Sequence, residues 1–480
     1  MKFTTTSPVF RSVSITFLTV LTTGLLSFGQ QGKATLPDED MQAQTVKTLF
    51  NHILTNGKCY TDLEYLCKRI GGRLSGSPQA AAAVEWGKQT LELTKADTTF
   101  LQPVMVPHWL RTSPEKARII SKHIGWQEVN ICALGNSVGT GPLGITAPVL
   151  MIDSLEALNK LDKKAVEGKI VYLNRAFDQR MIDPFDTYSA CVGGRYSGAP
   201  KAAKLGAVAY VLRSLASNTD EHPHTGGMAY EEGVAKIPAA ALATRDADLL
   251  SALLTKDSGL TLYLNFSCEN RADRPSFNVI GEIKGAKFPN EVIVVGGHLD
   301  SWDNGEGAHD DGAGCVQSIE VIRALKSLGI QPARTIRCVL FMNEENGAKG
   351  AQEYARWAGK NGEKCVAAIE SDRGGFSPRG FTLETASDTV TAKYVQILQK
   401  YRPILEQYGL YQFEKGFSGV DVKYLKDNGA ACLGLIPDPQ RYFNYHHTPN
   451  DTFDKINERE LKLGAASMAA LAYLISENGW

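Results

Sequence analysis

The chain has 480 residues, 43% of them hydrophobic and 21% charged, with 51 basic and 52 acidic side chains giving a formal net charge of −1. That length allows two or three domains with a substantial core, and the composition excludes a disordered chain, a collagen and a disulfide-dense miniprotein. The even charge balance supplies no basic surface for nucleic acid or an anionic membrane.

At the N-terminus, Lys2 and Arg11 form a basic start, and residues 13–28 are mostly apolar with small hydroxyl side chains. Ser27-Phe28-Gly29 places small residues at both recognition positions of a cleavage site. Residues 1–29 are therefore expected to be a secretory signal, with a secreted or periplasmic mature chain starting at Gln30. No later segment is long and apolar enough to predict a membrane span.

Residues 41–121 read as helices followed by extended segments, with a breaker-rich loop at 71–78 and an alanine-rich helix at 80–93. From about Asn130 the pattern changes to short strands, glycine turns and small residues. Strands are predicted at 168–173, 208–212 and 237–242, and helices at 201–207 and 246–254. This block, 130–268, reads as an inserted accessory domain. Over 269–480, apolar runs at 292–295, 335–342 and 366–369 alternate with helical patterns at 314–328 and 348–357, which predicts a sheet covered on both faces. Residues 461–475 are expected to form a docked terminal helix. The nine cysteines contain no Cys-x-x-Cys, and Cys338, Cys365 and Cys432 sit in apolar runs as small buried hydrophobes.

The chemistry is concentrated in the last block. Gly296-Gly297-His298-Leu299-Asp300-Ser301 closes one strand, and Gly307-Ala308-His309-Asp310-Asp311-Gly312-Ala313-Gly314 opens a helix. Asn343-Glu344-Glu345-Asn346-Gly347 and Glu370-Ser371-Asp372 close two further strands, and His446-His447-Thr448-Pro449-Asn450-Asp451-Thr452 follows near the C-terminus. Ligand sites in open α/β sheets lie beyond the carboxyl ends of strands. Imidazoles with carboxylates suit zinc better than a thiolate-loving metal. Four or five protein ligands exceed the usual three of one catalytic zinc, so two metals sharing a carboxylate is the economical reading. Any one of these motifs is weak; their convergence is not.

Together with Gly72-Arg73-Leu74-Ser75-Gly76-Ser77, Pro107-His108-Trp109 and Pro223-His224-Thr225-Gly226, these stretches resemble the co-catalytic dizinc aminopeptidase family. The resemblance implies an α/β fold: a three-layer α/β/α peptidase domain with a mixed central sheet, made from residues 41–129 and 269–480. The middle block, 130–268, then resembles an inserted, β-rich protease-associated domain. The resemblance further implies two zinc ions per chain, bridged by Asp310, with His298 and Asp372 completing one site and Glu345 and His447 the other. Glu344 would be the general base, and Asp300 the carboxylate that holds a ligand imidazole in one tautomer. A cis peptide between Asp310 and Asp311 and a homodimer are implied as well.

Adjacent strand residues point to opposite sides, so Glu344 and Glu345 can take different roles only if the strand ends there, and Asn346-Gly347 is the expected break. Many relatives carry Tyr where this chain has His446, which is either the oxyanion donor or a packed structural residue. His309 is expected to pack or hydrogen-bond. His222 and His224 either reach over the cleft or sit on a surface loop. The implied activity is hydrolysis of small peptides, dipeptides with free termini above all. A broader aminopeptidase, an inactive scaffold of the same fold and a one-zinc glutaminyl cyclase are the alternatives.

Overall fold

The computed structural model describes residues 37–480, so the expected signal segment lies outside the described residues. Three helices lead, Pro37–Asn56, Cys59–Tyr65 and Pro78–Leu93. The third starts where the sequence dictates: the Ser77 side chain accepts the Ala80 N–H, and Pro78 fills a first-turn position that needs no donor.

Sixteen strands follow. In chain order they are β1 (Thr98–Arg111), β2 (Lys116–Ser121), β3 (Gly125–Val129), β4 (Ile131–Ala133), β5 (Ile145–Ile152), β6 (Ile170–Leu173), β7 (Ala209–Arg213) and β8 (Ala239–Leu242). Then come β9 (Thr261–Asn265), β10 (Cys268–Ile283), β11 (Phe288–His298), β12 (Arg334–Phe341), β13 (Lys364–Glu370), β14 (Pro378–Glu384), β15 (Gln412–Lys415) and β16 (Ala431–Pro437). One mixed sheet has the order β1-β10-β12-β11-β13-β16-β14-β15, and the other β3-β2-β9-β5-β6-β7-β8-β4.

The first sheet is the middle of three layers. On β11, Ile293 and Val295 join the core built with the helices Ala313–Leu328 and Glu458–Asn478, while Val292 and Val294 join the core under the helix Lys349–Lys360. Period-two alternation of apolar residues on both faces is what a doubly covered sheet requires. Strands β12, β11, β13 and β16 run parallel. The chain moves from β11 to β12 and then back across β11 to β13, so the strand order reverses at β11. Crevices form at the carboxyl ends of strands at such a reversal.

The second sheet grows out of the first. β1 and β10 pair antiparallel as far as Arg111 opposite Cys268, and the chain between them folds as the second sheet. Strands β2 and β3 lie before residue 130, where the inserted block was expected to start, yet they belong to this sheet: β3 pairs with β2, and β2 with β9. The helix expected at 201–207 is far longer, Pro184–Lys204. It lies hard against β7: a Cβ on Gly198 would come within 2.1 Å of the Tyr210 ring. The Tyr210 hydroxyl donates to the Gly194 carbonyl at 2.9 Å, fixing the helix over the sheet. All nine cysteines are free.

Arg73, fully buried, ties the first helices to the segment after β11. Its Nε donates to Leu299 O (2.6 Å), Nη1 to Glu306 O (2.8 Å) and Nη2 to Gly307 O (3.0 Å). One planar fork thus holds both ends of the loop that connects His298 to Asp310. Lysine has the charge without the fork. Arg73→Lys is expected to lower unfolding stability by about 3 kcal/mol, because buried carbonyls lose their donors; chemical denaturation measures it, and a change within about 0.5 kcal/mol would contradict the clamp.

Candidate metal centre

His298 is the last residue of β11, and Asp372 lies two residues beyond the end of β13. Asp310 sits in the loop that opens the helix Ala313–Leu328, and His447 follows a short 3-10 turn, Tyr442–Asn444. The Asp310–Asp311 peptide is cis, as the resemblance implied. Asp311 is a backbone organiser: Oδ2 accepts the His298 N–H at 3.1 Å and Oδ1 the Gly314 N–H at 2.9 Å. Cβ atoms on Gly297 and Gly314 would reach its carboxylate at 2.3 and 2.5 Å, so only glycine fits at either place. Asp451 grips the same loop from the other side, accepting the N–H groups of His309 (2.7 Å) and Asp310 (3.1 Å).

Held in this way, Asp310 divides its oxygens between two imidazoles. Oδ1 is 3.2 Å from His298 Nε2, and Oδ2 is 3.2 Å from His447 Nε2. His298 Nε2 is also 3.5 Å from Asp372 Oδ1, and His447 Nε2 is 3.2 Å from Glu345 Oε2. Two triads of donor atoms therefore share one carboxylate. Metal–ligand bonds of about 2.0–2.1 Å at tetrahedral angles put neighbouring donors about 3.3 Å apart. The spacing fits a divalent cation. So does burial: all five side chains are largely shielded from water, a setting in which carboxylates need a counter-charge.

The two acids after β12 diverge. Asn343, not Asn346-Gly347, breaks the strand direction, taking a left-handed conformation (φ 74°) that asparagine tolerates better than most residues. Glu345 Oε1 accepts the Trp302 N–H at 3.2 Å, which leaves Oε2 to face His447. Glu344 stays apart, its carboxylate 4.0 Å from His298 Nε2 and open to the pocket. Asp300 orients His298 with its main chain: the carbonyl is 2.9 Å from Nδ1, whereas the carboxylate is 3.9 Å away. That carboxylate accepts the N–H groups of Asn343 (2.7 Å) and Glu344 (3.0 Å), so it fixes the turn carrying the two acids.

His446 stacks on His447 with ring centroids 3.5 Å apart, and its Nε2 is 3.8 Å from Asp310 Oδ2. Burial, then the charge of His447, holds it neutral. His309 packs between Phe376 and Tyr445, with Nδ1 accepting the Gly375 N–H at 3.2 Å. His224 is no surface residue: it is buried, and burial with the charge of His447 pushes it down to about 3. His222 is partly exposed and does not line the pocket.

The pocket beside the donors has a volume of about 230 Å³. Its far wall was not foreseen from sequence: Phe185, Tyr188 and Arg195 from the helix Pro184–Lys204, with Arg373, Tyr442 and Phe443. The spacing of three and then seven residues marks one helix face, and that stripe is the signal the sequence held.

Residues 278–472 match the model of peptidase family M28. Carboxypeptidase Q of Bos taurus is 35% identical over 435 residues, 91% of this chain and 89% of that one. A solved peptidase M28 precursor from Shewanella amazonensis SB2B superposes with a TM-score of 0.86 at 34% identity, covering 92% of this chain and 98% of that one. A zinc aminopeptidase from Bacillus subtilis shares the fold, with a TM-score of 0.62 at 19% identity over 88% of this chain and 96% of that one.

The cluster sets a pH dependence. Burial, reinforced by Asp310, pushes Glu345 up to about 7, and burial pushes Asp451 up to about 7. Burial alone would lower His447, but Glu345 and Asp310 lift it to about 9. Between the unfolded and folded values of each group, the folded state holds a proton that the unfolded state has released, so metal-free stability falls as pH rises. Metal needs deprotonated ligands and removes that penalty. The rise in Tm on adding metal to chelator-treated protein is expected to be larger at about pH 8 than at about pH 5.5; the reverse order would contradict the assignment.

Proposed function

This chain belongs to peptidase family M28 and is a zinc-dependent metallopeptidase, and from that premise we propose that it is an exported enzyme that hydrolyses dipeptides using two zinc ions. The observation that carries the reading is the pair of donor triads sharing Asp310, set beside an uncommitted Glu344 in a small pocket. In this reading His298, Asp310 and Asp372 would hold one ion and His447, Asp310 and Glu345 the other. When bound, the ions supply Lewis-acid polarisation of the peptide carbonyl and acidify water.

The protein's own groups do the rest. Glu344 takes the proton from the attacking water and passes it to the departing amine. In the metal-free protein burial, opposed by His298 and reinforced by Asp372, Glu345 and Asp310, pushes its carboxyl well above the usual range. His446, kept neutral, donates to the oxygen on which charge develops. The Asp300 carbonyl holds the tautomer of His298 that presents Nε2 to the cluster. The small pocket favours short substrates over extended chains. The second sheet is read as the protease-associated insert. Export rests on the basic start and apolar run at residues 13–28, and no helix among the described residues is long and apolar enough to cross a membrane.

The test is turnover of a free dipeptide, its N-acetylated form and a tetrapeptide of the same residues, by wild type and Glu344→Gln. Wild type is expected to prefer the free dipeptide. Glu344→Gln is expected to keep its metal and lose on the order of 100- to 10,000-fold in kcat. Equal turnover of the tetrapeptide would favour a general aminopeptidase instead, and loss of metal from Glu344→Gln would contradict its role as a base.

A further inference from the structure

Pro223-His224-Thr225-Gly226 supplies none of the five donor side chains, yet it lies against one of them. His447 turns Nε2 toward Asp310 and Glu345, and its Nδ1 is 3.2 Å from the Thr225 carbonyl oxygen. The other polar atom near Nδ1, Arg195 Nη1 at 3.4 Å, is itself a donor. The Thr225 carbonyl is therefore the group that accepts the Nδ1 proton, which leaves the Nε2 lone pair for a cation. The main chains are joined as well: the Thr225 N–H donates to the His447 carbonyl at 3.0 Å.

That second bond matters because His447 has a left-handed backbone (φ 63°), a conformation disfavoured for a residue with a Cβ and kept only where the surroundings enforce it. Asn304 Nδ2 donates to the same carbonyl at 3.0 Å. Arg111, the last residue of β1, ties both supports together. Its Nε donates to the carboxylate of Asp303, the neighbour of Asn304, at 3.0 Å, and its Nη2 to Thr225 Oγ1 at 3.1 Å. Thr225 in turn belongs to the frame of the second sheet. Its hydroxyl donates to the Ala133 carbonyl on β4 at 2.7 Å, and the Gly226 carbonyl accepts the Gly135 N–H at 3.0 Å. Thr225 is fully buried, so water does not compete for these bonds.

His298 offers the contrast. Its Nδ1 meets the carbonyl of Asp300, two residues along the same strand end, whereas the partner of His447 lies 222 positions away in the inserted segment. Resting on the two-ion reading above, we infer that Thr225 is a positioning residue for the metal centre. The inserted segment fixes the tautomer and the backbone of His447, so the ion held by Asp310, Glu345 and His447 binds at full strength only with the second sheet docked. The His298 half of the centre is held by Asp300, Asp311 and Asp451, all outside that segment. Coupling of this kind is reciprocal: the ion at His447 stabilises the Thr225 loop in return.

The test measures zinc affinity, by competition with a chelator, in two single-site backgrounds. Asp372→Asn is expected to leave the ion at His447, and Glu345→Gln the ion at His298. Thr225→Val keeps the shape of the side chain and removes the hydroxyl. Added to Asp372→Asn, it should weaken zinc on the order of 10- to 100-fold, the usual worth of a ligand's outer partner, and added to Glu345→Gln it should change the affinity by less than about twofold. Thr225→Ser should restore most of what Thr225→Val loses. A second measurement needs no substitution at Thr225 and decides alone where Thr225→Val does not fold. Zinc added to chelator-treated wild type should slow amide hydrogen exchange across residues 223–228, and should not do so in Glu345→Gln. Weakening that is equal in both backgrounds or seen in neither, or exchange indifferent to zinc, would overturn the inference while leaving the two-ion reading intact. A wild type that binds a single zinc ion would instead overturn the two-ion reading, and the inference with it.

Discussion

One carboxylate shared between two imidazoles organises this molecule. Asp310 faces His298 with one oxygen and His447 with the other, while Asp372 and Glu345 close the two sides. Carboxylates crowded this closely out of water repel one another unless positive charge lies among them. Much of the surrounding architecture keeps Asp310 in place. Asp451 and Asp311 bind the backbone around it, and Arg73 binds the loop that precedes it. Acids that would ordinarily be solvated are spent here on main-chain N–H groups, a use that makes sense only where one side chain must not move.

The fold delivers its groups from both layers of organisation. Parallel strands β11, β12 and β13 end on the same edge, and their succeeding loops carry His298, the Glu344–Glu345 pair and Asp372. The second sheet leaves from the β1–β10 ribbon and returns a helix to the pocket, close enough for Arg195 to meet His447. Core residues Phe376, Tyr442 and Phe443 from the last third of the chain pack into the second sheet's own core. The two sheets are thus joined by burial as well as by the ribbon.

The strand ends and their ligand-type residues were legible because apolar β-branched runs stop abruptly at His, Asp or Glu. The wall of the pocket was not. Gly193, Gly194, Gly198 and Pro200 interrupt the helical pattern over 184–204, so only its last turns read as helix. Packing against Tyr210 and Leu173 overrides that weak propensity, and the glycines are what permit the close approach. The turn at Asn343 was missed for a related reason. Asn346-Gly347 is the stronger breaker by composition, but the Asp300 carboxylate captures the N–H groups of Asn343 and Glu344 and sets the turn three residues earlier. Asp451 stands in the last of the chemistry-bearing stretches, but its role could not be read there, because a carboxylate that caps a distant loop leaves no local signature.

Zinc content per chain, measured on wild type, Asp310→Asn and Asp372→Asn, bears most directly on the shared carboxylate. The account predicts two zinc ions in wild type, one retained in Asp372→Asn, and loss of both in Asp310→Asn, since an amide presents only one oxygen where two are needed. One zinc in wild type, or two retained in Asp310→Asn, would contradict it.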